Sequence, residues 1–180
     1  MERKNKFKSK HSYYLSLAFE QAKNNLGSTK SNPSVGCIVE KHDSVISSGS
    51  TSFNGRPHAE FNALNKDIDF KNSNMYVTLE PCTHFGLTPP CTNIIKKKKI
   101  KNVFFNFSDP DERTHRKAKK VLGSVVKQKK ASIKYKDFYR SYYLNKKNKI
   151  PLIDAKIAFS KDYFTISKKS KWITCARSRK

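Results

Sequence analysis

Three short apolar runs limit this chain more than any other feature: Val35-Gly36-Cys37-Ile38-Val39, Met75-Tyr76-Val77-Thr78-Leu79 and Val103-Phe104-Phe105-Asn106-Phe107. Each is short and rich in β-branched or aromatic residues, so each reads as a buried strand. Segments with helical spacing lie around them. From His11 to Leu26 the residues Tyr14, Leu15, Ala18, Phe19, Ala22 and Leu26 recur every three or four positions, with Gly27 as the stop. A short helix from His58 to about Asn65 can bury Ala59, Phe61, Ala63 and Leu64, and another is expected from Cys91 to about Lys98. Ser44–Ser48 pairs with the first run across Lys41-His42-Asp43. A charged helix over Glu112–Leu122, a weaker strand near Ile133–Tyr135 and a helix over Asp137–Asn145 complete the pattern. Strands alternating with helices predict an α/β layered sheet.

At 180 residues the chain has room for one domain and the opening of a second. Residues 1–10 read as a disordered basic arm and 11–145 as the main domain. Residues 146–180 read as a linker, centred on the polar Asn145–Lys149 stretch, followed by a new strand over Pro151–Phe159 with Tyr163–Ile166 as its partner. No apolar run reaches 18 residues, which excludes a membrane-spanning helix. The net charge of +24 invites a nucleic-acid partner, but lysine outnumbers arginine 31 to 7 and is scattered among 14 asparagines. Arginine is the better fork for phosphates and base edges, so this pattern describes wetted faces more than a binding patch. Cys37, Cys82, Cys91 and Cys175 are too few and scattered for a disulfide scaffold and fit a reduced, cytoplasmic setting.

Two segments carry chemistry. His58-Ala59-Glu60 opens a predicted helix; Glu80-Pro81-Cys82 leaves a predicted strand, and Cys91 follows Pro89-Pro90 at the next helix start. One imidazole and two thiolates supply three of the four N/S ligands that Zn²⁺ prefers, leaving one corner for water. Glu60, two residues beyond His58, is free to move protons between water, the substrate nitrogen and departing ammonia. This has the form of the zinc deaminase signature, H-x-E followed by P-C-x-x-C, with eight residues between the cysteines instead of two. A closed structural zinc site with a fourth ligand such as His84 is the competing reading of the same residues.

The strings Asn32-Pro33-Ser34-Val35-Gly36-Cys37, His58-Ala59-Glu60, and Tyr76 through Cys91 closely resemble the riboflavin-biosynthesis diaminohydroxyphosphoribosylaminopyrimidine deaminase, the deaminase half of a bifunctional deaminase/reductase. The resemblance implies a three-layer α/β/α cytidine-deaminase-like sandwich around a central mixed sheet. It implies zinc held by His58, Cys82 and Cys91, with Glu60 as the catalytic proton shuttle, and substrate contacts at Asn32 and Asp109. It implies hydrolytic deamination of 2,5-diamino-6-(5-phosphoribosylamino)pyrimidin-4-one, a small-molecule pyrimidine ribotide, and a tendency to form homo-oligomers. The segment Pro151–Thr174 resembles the truncated start of that family's dihydrofolate-reductase-like domain, so no reductase activity and no NADPH site are expected within these residues.

The chain departs from the family pattern in places. Leu87 stands where the family often has Lys or Arg, Thr51 where His is common, and Asp111 where Asn is common after Asp-Pro. These departures leave the zinc chemistry intact and shift the holding of substrate phosphate to Arg56, His84, Arg113 or Arg116 as candidates. A nucleic-acid or nucleoside base deaminase is the alternative that the basic charge suggests.

Overall fold

The computed structural model of the chain describes residues 9–159, 161 and 163. Contacts divide the chain into two units, Met1–Ile150 and Pro151–Lys180. The first holds a five-stranded sheet in the order β2-β1-β3-β4-β5. Its strands are β1 (Gly36–Lys41), β2 (Ser44–Ser50), β3 (Asn74–Leu79), β4 (Asn102–Phe107) and β5 (Val126–Gln128). The helices are α1 (Lys10–Lys23), α2 (Ala59–Leu64), α3 (Cys91–Lys97), α4 (Ala118–Leu122) and α5 (Arg140–Asn148). β1 pairs antiparallel with β2 and β3, while β3–β4 and β4–β5 are parallel, so the sheet is mixed as expected.

Strand alternation sorts the core into two faces. Ile38, Tyr76 and Phe104 lie in one cross-strand row and pack against Tyr14, Leu15 and Ala18 of α1. The opposite row, Cys37, Val77 and Phe105, joins Val39, Met75 and Val103 beneath Ala59, Ala63, Leu64 and Ile95 of α2 and α3. Helix, sheet and helix thus form the three expected layers. Ser9 caps α1 by accepting from the Ser12 N–H, and the helix ends at Asn24, with Gly27 left-handed three residues further on. Two glycines permit close approach. A Cβ on Gly36 would lie 1.8 Å from the Ala18 carbonyl oxygen of α1, and one on Gly49 would lie 2.4 Å from the Ala59 carbonyl oxygen of α2.

Four elements differ from the sequence reading. The helix expected over Glu112–Leu122 is regular only from Ala118. The Arg116 and Ala118 N–H groups bond the Glu80 carboxylate instead, and Arg116 has a left-handed φ. Ile133–Tyr135 is a 3₁₀ turn, not a strand, because Tyr135 folds inward to stack on Phe19, with ring centroids 4.0 Å apart. The fifth strand is the three-residue β5. The fifth helix, α5, starts at Arg140 and runs through the Asn145–Asn148 stretch that reads as a linker. The strand expected over Pro151–Phe159 is irregular and mostly exposed, with no sheet neighbour among the described residues. Its expected partner, Tyr163–Ile166, lies outside them apart from Tyr163, as does Cys175.

Candidate metal centre and cleft

The edge between sheet and helices brings distant residues together. β3 ends at Leu79, and the chain turns outward through Glu80-Pro81-Cys82 before returning at Pro90 into α3. His58 is the residue just before α2, and Cys91 is the first residue of α3. The His58 Nδ1 stands 3.6 Å from the Cys82 Sγ and 3.5 Å from the Cys91 Sγ. The Cys91 backbone N–H donates to the Cys82 Sγ at 3.2 Å. Ligand atoms of these three residues all lie within 4.8 Å of one another, and they are the one such group among the described residues. His84 is not part of it; its Nδ1 pairs with the Thr114 hydroxyl at 3.0 Å.

The donor set fits zinc: one imidazole nitrogen and two sulfurs converge, with His58 turned so that one ring nitrogen meets both thiols. The electrostatics agree. The Cys82 thiol is pulled down to about 4, chiefly by the hydrogen bond from Cys91 and then by His58 and the Cys91 N–H. Cys91 is pushed up because its thiol proton serves that bond and because it is buried. His58 is raised mainly by the Cys82 sulfur. The protons held by the Cys91 thiol and the His58 ring are what a cation would displace. Glu60, 3% exposed on the first turn of α2, is pushed up to about 7 by burial and by the Cys82 charge. The site therefore holds a carboxyl poised to gain or lose a proton near neutrality.

His58, Glu60 and Cys82 line a cleft together with Asn32, His84 and Asp109. Asn32 donates to the Gly55 carbonyl at 3.0 Å, and the Asp109 carboxylate accepts from the Tyr142 hydroxyl at 3.0 Å. Thr51 lines the cleft as a structural hydroxyl that accepts from the Val35 N–H. Arg56 and Arg113 reach the same cleft, whereas Arg116 lines a different cavity beside Lys119 and Lys127. Leu87 is 88% exposed. Sequence reasoning missed three contributors. Glu80 is buried and accepts from the Asp109, Arg116 and Ala118 N–H groups, shaping the loop that carries Asp109. Tyr142 and Lys146, one turn apart on α5, close one side of the cleft. The helical pattern over Asp137–Asn145 was the available signal for Tyr142, and Lys146 lay just past it.

This fold and site define a deaminase of the zinc-dependent cytidine type. Residues 8–107 match the family model of the cytidine and deoxycytidylate deaminase zinc-binding region. More narrowly, the chain belongs to the diaminohydroxyphosphoribosylaminopyrimidine deaminase family. It is 40% identical over 103 residues to the deaminase of that name from Buchnera aphidicola subsp. Schizaphis graminum, covering 57% of this chain and 70% of the relative. It is 36% identical over 180 residues to the riboflavin biosynthesis protein RibD of Aquifex aeolicus, covering 93% of this chain and 49% of the relative. The solved diaminohydroxyphosphoribosylaminopyrimidine deaminase/5-amino-6-(5-phosphoribosylamino)uracil reductase of Thermotoga maritima superposes with a TM-score of 0.82 at 30% identity, over 94% of this chain and 51% of that one. The chain thus spans about half the length of the RibD relatives it matches. That half carries the match to the deaminase zinc-binding model, and it covers about half of the Thermotoga maritima deaminase/reductase. No described helix is long and apolar enough to cross a membrane.

Proposed function

We propose that the chain hydrolyses the amidine of a pyrimidine ribotide in riboflavin biosynthesis. Its substrate is 2,5-diamino-6-(5-phosphoribosylamino)pyrimidin-4-one, and its products are the 5-amino-uracil ribotide and ammonia. The convergence of His58, Cys82 and Cys91 beside buried Glu60, at the foot of a cleft lined by Asn32, His84 and Asp109, carries this reading. His58, Cys82 and Cys91 would hold zinc, and the bound ion would supply Lewis acidity that eases removal of a proton from water near neutral pH. Glu60 takes that proton, delivers it to the ring nitrogen beside the reacting carbon, and then relays the second proton of the same water to the departing amine. Water oxygen replaces nitrogen at that carbon, the C–N bond breaks, and no redox partner is needed. Asn32 and Asp109 orient the ring by hydrogen bonds, and His84 borders the same cleft.

In this reading the deaminase extends past the expected end at 145 to Ile150, because α5 runs to Asn148 and Lys146 lines the cleft, and 151–180 lead toward the relatives' reductase half. A second copy of the chain is its proposed partner. The described cysteines are free, in keeping with a reduced cytoplasmic setting.

Ammonia release from the ribotide tests the reading. The zinc-loaded chain is expected to turn the ribotide over, to stop with a chelator, and to recover when zinc returns. Glu60→Gln is expected to keep its zinc while kcat falls about 100- to 10,000-fold. Preferred turnover of RNA or free cytidine, or full activity in Glu60→Gln, would overturn it.

A further inference from the structure

The far wall of the cleft carries a cluster of charges that the deamination chemistry does not use. Asp111 is held by its own N–H, which donates to the Asp109 carboxylate at 2.9 Å. Its two oxygens accept the Arg113 guanidinium as a fork, from Nε at 2.9 Å and from a terminal nitrogen at 2.7 Å. The Lys146 Nζ joins the same carboxylate at 3.3 Å. Asp111 is 12% exposed at its side chain and Lys146 26%, so the pair is set into the wall, while Arg113 reaches solvent at 59%. On another wall of the cleft, Arg56 hydrogen-bonds the Thr88 hydroxyl at 2.7 Å.

Ion pairs exposed to water stabilise a fold by little, about 0–1 kcal/mol. One carboxylate gathering two cations at the wall of a cleft therefore has a better explanation in what the cations can still bind. Lys146 has three N–H donors and spends one on Asp111; the Arg113 side chain has five and spends two there. Three cations against one carboxylate leave a local charge of +2, which matches a phosphomonoester dianion. The other carboxyls of the cleft are engaged elsewhere: Glu80 on backbone N–H groups, Glu60 beside the cysteines, and Asp109 on Tyr142 and the Asp111 N–H.

We propose that Lys146 and Arg113, pre-set by Asp111 and facing the cleft with Arg56, bind the terminal phosphate of the substrate. This rests on the ribotide reading above and adds the residues that select a phosphorylated substrate over the bare riboside. Asp111 is a positioning residue: it holds the two cations apart and aimed before the phosphate arrives. Lys146 brings α5 into the site, so a helix outside the zinc-ligand motifs decides specificity.

Two measurements test the site. The first compares kcat/KM for the ribotide and its dephosphorylated riboside. Lys146→Ala and Arg113→Ala are each expected to lower the ribotide value about 10- to 100-fold more than the riboside value, through KM, with Lys146→Arg recovering part of the difference. Asp111→Asn is expected to narrow the ribotide preference while leaving zinc content intact. The second uses calorimetry with ribose 5-phosphate and with inorganic phosphate as probes, and needs no turnover. Ribose 5-phosphate is expected to bind the wild-type chain and to bind Lys146→Ala at least about tenfold more weakly, with inorganic phosphate weaker throughout. If the ribotide is turned over but every variant keeps the wild-type preference and probe affinity, the phosphate site falls and the functional reading stands. If ribose 5-phosphate binds through Lys146 while no ribotide is deaminated, the reading falls and the site stands.

Discussion

Glu80 and Asp109 both carry buried carboxyl groups, the Asp109 backbone N–H donates to the Glu80 carboxylate, and the chain treats the two groups differently. Glu80 accepts three backbone N–H groups, which replace the water it has lost. Asp109 accepts one N–H and one phenol, and burial pushes it from 3.8 up to about 6. Its protonated form is the one the fold prefers, so the contribution of Asp109 to stability is fully present below pH 3.8 and is lost as pH rises through about 6. Asp109→Asn keeps an acceptor for both bonds and removes the charge. Urea midpoints should show this variant stabilised by about 1–2 kcal/mol at pH 8, with the gain shrinking toward zero near pH 4. A gain that is flat with pH would contradict the assignment, while a raised KM for the ribotide is expected alongside it. The same scale shows what was legible. His58, Glu60, Cys82 and Cys91 could be read because each residue type is chemically distinctive and sits at a strand end or helix start. Lys146 could not, because one lysine among 31 carries no signal until α5 places it one turn from Tyr142 against the cleft.

At the scale of elements, the strands β1, β3 and β4 were readable because both faces of each are buried and their apolar runs are nearly unbroken. The segments that misled, 112–117 and 133–135, owe their shape to partners far away in sequence. Glu80 captures the N–H groups where a helix was expected to begin, and Phe19 draws Tyr135 inward. Close approach was equally invisible, since a glycine inside a strand does not announce which helix lies over it. The two helix–sheet contacts make separable predictions. Gly36→Ala would press α1 off the sheet and Gly49→Ala would press α2 off it, each destabilising the fold by about 1–3 kcal/mol in denaturant titrations. Only α2 carries Glu60 and follows His58 directly. Zinc affinity, measured by competition with a chromophoric chelator, should therefore fall in Gly49→Ala and hold in Gly36→Ala. Equal loss of zinc in both would show that the metal site depends on overall stability instead of on the seating of α2.

For the whole molecule, the informative boundary is the end of α5. Tyr139 bonds the Thr78 hydroxyl and the Ser34 carbonyl, Tyr142 the Asp109 carboxylate, and Tyr143 the Ser108 carbonyl. The start of α5 and the residue before it thereby tie together the end of β3, the loop after β4 and the approach to β1, all of which border the cleft. Beyond it, Pro151–Phe159 is irregular and largely exposed, and the contact boundary falls at Ile150. Removing residues 151–180 should therefore leave the zinc content, melting temperature and ribotide kcat/KM of the full chain in place. Ending the chain at Lys136 takes away the three tyrosines together with Lys146. That shorter form should melt well below the first and lose ribotide turnover, because the Ser34, Ser108 and Asp109 loops lose their shared tether. The two truncations differ by only fourteen residues. If the chain ending at Ile150 were also inactive, residues past α5 would have to belong to the deaminase itself, and the domain boundary would move toward the C-terminus.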